Sequence, residues 1–110
     1  MEEPIYTFAI IRKWFDMILS GEKTEEYRQM SPFYESRLRQ YTGQIITIRL
    51  RNGYATHCPS ILCTVRVIRG KRGRVEWGAE KYEKYYVLKI LAYELETPIP
   101  AHETPRAART

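Results

Sequence analysis

The chain has 110 residues, 44% of them apolar and 28% charged, with a formal net charge of +5. Those proportions exclude wholesale disorder, and the length fits one domain that folds without disulfides or metal ions as staples. No apolar run approaches the ~20 residues of a membrane-spanning helix, and the acidic start Met1-Glu2-Glu3-Pro4 is unlike the basic start of a signal peptide. The expectation is a cytoplasmic protein with no membrane partner.

Ile5 to Ile11 is β-branched and aromatic, as an opening strand should be. Ile11, Trp14, Phe15 and Ile18 then recur at i, i+3, i+4 and i+7, which predicts an amphipathic helix near 11–20. Gly21 supplies the left-handed residue that ends such helices. In the polar segment Lys23 to Arg28, an extended backbone puts Thr24, Glu26 and Arg28 on one face and Lys23, Glu25 and Tyr27 on the other. Lys23 reaches the first face only if the entry turn bends.

Ser31-Pro32 reads as an N-cap followed by proline at the first helical position, opening a helix from 32 to about 40. Glu35 favours the positive end of that helix. Gln44 to Arg51 alternates, with Ile46, Ile48 and Leu50 facing inward and Thr47, Arg49 and Arg51 outward. Asn52-Gly53 is a hairpin signal, so a strand beginning near Tyr54 should fold back. Ile61 to Ile68 is another strand, with Cys63, Val65 and Val67 on one face. Gly70-Lys71-Arg72-Gly73 reads as a basic turn, and Tyr85 to Tyr93 closes the sheet. Residues 1–97 form the domain, and 98–110, with three prolines and few large apolar side chains, read as a flexible tail.

The two cysteines, Cys58 and Cys63, read as structural thiols, because no second ligand pair completes a zinc site with His57. No metal and no cofactor are expected. The charge is unevenly spread. Residues 36–75 hold nine cations and no Asp or Glu, so the rest of the chain carries −4 against the total of +5. All but one of the nine are arginine, suited to forked contacts with phosphate or base edges. A solvated sheet face carrying arginines for solubility is the alternative.

Gly21-Glu22-Lys23-Thr24-Glu25-Glu26-Tyr27-Arg28 reads G-x-K-x-x-E-x-R directly after the first helix. This resembles the signature of the ASCH domain, a PUA-like family of small β-barrels associated with RNA. The helix end Ile18-Leu19-Ser20-Gly21, the Asn52-Gly53-Tyr54 turn and the run from Glu76-Trp77-Gly78 to Tyr86-Val87 extend the resemblance to short phage- and bacterium-type members. It covers roughly residues 5–93. The resemblance implies an α+β fold: a small, mostly antiparallel β-barrel with about two short helices.

It also implies a cleft between barrel and first helix, lined by the motif and binding RNA or a modified nucleotide. Lys23, Glu26 and Arg28 would contact the ligand, with Glu26 orienting the Arg28 guanidinium. Tyr27, Tyr54 or Trp77 would stack on a base, and Arg49, Arg51, Arg66 and Arg69 would extend the positive field. Two branches of the family are hydrolases. One resembles an amidohydrolase that deacylates N4-acetylcytidine through the motif lysine, a threonine and a later glutamate. Here the lysine matches Lys23, but Glu26 stands at the threonine position, Thr24 lies two residues earlier, and Glu76 or Glu80 would be the acid. The other branch resembles metal-assisted ribonucleases; the sequence offers no metal cluster, which leaves general acid–base cleavage by Lys23 and Glu26, with a desolvated Lys23 as base. A protein-interaction adaptor is the third expectation.

Overall fold

The computed structural model describes residues 5–96; the expected tail, 98–110, lies outside them. The chain forms β1 (Tyr6–Ile10), α1 (Arg12–Leu19), β2 (Glu25–Arg28) and α2 (Pro32–Leu38), the last running into a 3-10 turn at Arg39–Tyr41. Then come β3 (Ile45–Asn52), β4 (Ser60–Arg72), a second 3-10 turn at Val75–Trp77, and β5 (Lys84–Glu96). The five strands make one sheet in the order β1-β3-β4-β5-β2. Only β1 and β3 pair in parallel; the other three ladders are antiparallel. The fold is α+β with two helices and a mostly antiparallel, barrel-like sheet, as expected. The sheet curls into a half-barrel whose edge strands, β1 and β2, share no ladder.

Alternation sets the core. Phe8 and Ile10 of β1, Ile46, Ile48 and Leu50 of β3, and Ile61, Cys63, Val65 and Val67 of β4 are buried. Phe15 and Ile18 of α1 and Leu38 of α2 close over them. Ile11, expected at the head of the helical stripe, is instead the N-cap of α1 and is exposed. Ser31 occupies the N-cap position of α2 by its extended backbone, but its hydroxyl makes no capping bond.

Two turn signals resolve differently from expectation. At Asn52-Gly53 the Asn52 amide donates to the Pro59 carbonyl at 2.9 Å, so a seven-residue loop, 53–59, and not a two-residue turn, joins β3 to β4. Pro59 has no N–H, so it cannot carry the ladder beyond Ser60. Gly70 is no turn at all. At φ 78° it sits in the register shift between Arg69 and Lys71, where the bulge lets β4 continue to Arg72.

The loop between β4 and β5 folds back over Tyr27. The Arg74 amide donates to the Tyr27 hydroxyl at 2.9 Å, and a Cβ built on Gly73 would stand 2.6 Å from the Tyr27 ring. Gly73→Ala should therefore cost about 1–3 kcal/mol of stability, because the ring is held in place by Lys23, Tyr85 and the hydrogen bonds of its hydroxyl. Urea denaturation tests this. An unchanged midpoint would mean that the loop lifts freely from β2.

Candidate functional site

The site begins at the end of α1. Gly21, at φ 85°, turns the chain, and the Lys23 amide donates to the Met17 carbonyl at 2.9 Å. This closes a turn ahead of β2 and brings Lys23 to the same place as Glu26. Its Nζ lies 3.3 Å from Glu26 Oε1 and donates to the Trp77 carbonyl at 2.6 Å. The rings of Trp14 and Tyr27 flank the ammonium at 5.1 and 4.8 Å. Only 1% of the Lys23 side chain is exposed, so no face of it is open to a ligand.

Glu26 is the shared partner. Its other oxygen, Oε2, lies 2.6 Å from Arg28 Nη2, and both side chains are close to fully buried. Arg28 then reaches across the open side of the sheet: Nη2 donates to the Ala9 carbonyl of β1 at 3.0 Å, and Nη1 to the Tyr34 hydroxyl of α2 at 3.0 Å. One chain of contacts thus runs from the β4–β5 loop through β2 to β1. Burial pushes the Lys23 amine below its ordinary value, against the pull of Glu26. Burial also opposes the Arg28 guanidinium, but Glu26 and Tyr34 hold it above the usual arginine range. With all three ionised, the cluster carries one net positive charge.

A cavity of about 300 Å³ opens beside Arg28, along β1. Phe33 and Tyr34 of α2, Arg51 at the end of β3, Tyr54, and the β1 residues Thr7 to Ala9 line it with Gly53. Arg28 and Arg51 each have a buried Nε without a hydrogen-bond partner. Tyr54 is 91% exposed and free to meet a ring laid against it. A second cavity of about 320 Å³ continues past Tyr54 along Ile10 to Arg12.

The remaining expected residues are dispersed. Arg49 makes a forked pair with Glu96, at 2.6 and 3.1 Å, and Arg69 makes another with Glu35, at 3.1 and 2.7 Å. Arg66 donates to the Gly43 carbonyl at 3.0 Å. Trp77 is half-buried beneath the Arg74 guanidinium and does not line the cavity. Of the two hydrolase residues, Lys23 has its amine enclosed and Glu26 has both oxygens engaged. Glu76, a candidate later acid, pairs with Arg74 at 3.2 Å. Sequence reasoning missed Phe33 and Tyr34, the aromatic pair just inside the Pro32 helix start.

Among the described residues no three His, Cys, Asp or Glu side chains gather as a metal site requires. Cys63 is wholly buried, and burial, with Glu26 nearby, raises its thiol to about 12. No helix among the described residues is long and apolar enough to cross a membrane. Comparison with family models, curated proteins and solved structures gives no match to this chain.

Two stability predictions arise from these pairs. Glu26→Gln leaves two buried cations without a counter-charge and should cost about 3–5 kcal/mol in urea unfolding. Lys23→Met should cost clearly less, because Glu26 keeps Arg28; equal losses would show that Glu26 is not the shared anchor. The second concerns acid. Arg69 and the Tyr86 hydroxyl hold the Glu35 carboxyl down at about 2, from 4.5. Its contribution is full above pH 4.5 and is lost as pH falls toward about 2. Glu35→Gln should flatten the acid limb of the stability profile between those values, and an unaltered limb would refute the pairing.

Proposed function

We propose that this is an ASCH-like, PUA-like RNA-binding module, and that the cavity beside β1 takes one nucleotide of a single strand. The observation that carries the reading is that Arg28 and Arg51, each with an Nε that the fold leaves unpartnered, line one cavity with four aromatic residues. Buried donors are rarely left unsatisfied, and an anion or a polar base edge is their natural acceptor. The net positive charge of the buried cluster adds to the pull on phosphate. Tyr54 and Phe33 offer ring faces to a base, the usual way a protein holds an unpaired nucleotide. The volume lies at the lower end of ligand cavities, about 300–1,000 Å³, which suits one nucleotide and not a run of them.

Arg51 is the cleaner probe, since it makes no ion pair among the described residues, whereas Arg28 also braces the fold. Arg51→Ala should weaken binding of a labelled single-stranded RNA by about 1–3 kcal/mol. Tyr54→Ala should weaken it by about 1–3 kcal/mol, with thermal stability unchanged because the side chain is exposed. Fluorescence anisotropy at low salt measures both. If neither single-stranded RNA nor free nucleotides bind the wild type there, the reading fails and an adaptor role replaces it.

A further inference from the structure

The far end of the β4–β5 hairpin carries three features that each work against stability. Arg72 and Lys84 are direct cross-strand partners, and like charges placed opposite one another repel. Tyr82 is the one non-glycine residue among those described with a positive φ, 69°, a strained setting for a bulky side chain. Its ring is 68% exposed, so core packing does not repay the strain. Arg72 and Lys81 instead stand over the ring, at 5.2 and 5.1 Å.

Lys71, Arg72, Lys81 and Lys84 are all exposed, and none has an ion pair among the described residues. Glu80 and Glu83 lie in the same loop and leave a local excess of two positive charges. Local rules broken together, with only two exposed cation–ring contacts as the gain inside the fold, mark a place where a partner supplies the rest. The chemistry that fits is a flat ring to lie on Tyr82 and phosphates to separate Arg72 from Lys84.

We infer that this hairpin end is a second contact for the same single-stranded RNA, with Tyr82 as its stacking platform. This rests on the proposed RNA-binding reading and extends it from one nucleotide to a strand. The placement supports it: Tyr86 is the register partner of Arg28, and Lys84 lies two residues further along β5, about 7 Å. A strand leaving the cavity past Arg28 could therefore continue to Tyr82.

The test is anisotropy with a labelled twelve-nucleotide oligouridine, competed by uridine monophosphate, on the full chain. Tyr82→Gly removes the ring and relieves the strained φ, so it should raise the melting temperature while weakening the twelve-mer about tenfold. Competition by the mononucleotide should be unchanged, and Tyr82→Phe should bind as wild type. Arg72→Gln should reduce the slope of log affinity against log salt by about 0.7. Wild-type twelve-mer affinity in Tyr82→Gly overturns the second contact while leaving the cavity reading intact. A wild type that binds neither probe overturns both.

Discussion

A single carboxylate holds the open side of this sheet. Edge strands present unpaired backbone groups, and a curled sheet of five strands leaves two such edges near each other. Here they are joined by side chains in place of a ladder: Glu26 of β2 takes Arg28, and Arg28 spans to the Ala9 carbonyl of β1. The same Glu26 takes Lys23, which anchors the β4–β5 loop through the Trp77 carbonyl. Buried charges are costly unless paired and hydrogen-bonded, and this carboxylate is engaged at both oxygens. Without it, the loop, β2 and β1 would have no common tie.

The cavity owes its position to that tie. Because Arg28 crosses the opening, its guanidinium edge becomes part of the wall, and its Nε is left over once both terminal nitrogens are engaged. The α2 helix completes the wall through Tyr34, whose hydroxyl accepts from Arg28 and whose ring meets Phe8 edge-on. The next residue, Glu35, fixes α2 to the sheet by accepting from Arg69 and Tyr86. Tyr86 is the register partner of both Arg28 and Arg69, so a single row across three strands seats the helix and shapes the cavity.

What was legible in the sequence followed from local periodicity. The inward faces of β3 and β4 and the α1 helix come from spacing that each segment carries within itself, and α2 from its Ser31-Pro32 start. The glycine signals were ambiguous for a physical reason: a positive φ serves a bulge as well as a turn, and Gly70 takes the bulge. The motif segment was legible as a cluster but not as a buried one. An extended backbone separates Lys23 from Glu26, and only the turn closed onto Met17 brings them together. The cavity was the least legible part, since its wall joins residues from β1, α2 and the β3–β4 loop that no sequence spacing relates.

The charge run shows the same limit in another form. Read linearly, residues 36–75 are uniformly basic. In space, Arg49 is neutralised by Glu96, Arg69 by Glu35 and Arg74 by Glu76, each partner lying outside that run. These arginines use their forked geometry on carboxylates of the fold itself, which is a structural role. Of the others, Arg51 lies at the cavity, Lys71 and Arg72 lie at the hairpin end with Lys81 and Lys84 from outside the run, and Arg37, Arg39 and Arg66 are scattered over α2, its following turn and β4. The pairing thus divides the basic residues of the run into those whose charge a carboxylate of the fold neutralises and those that make no ion pair among the described residues.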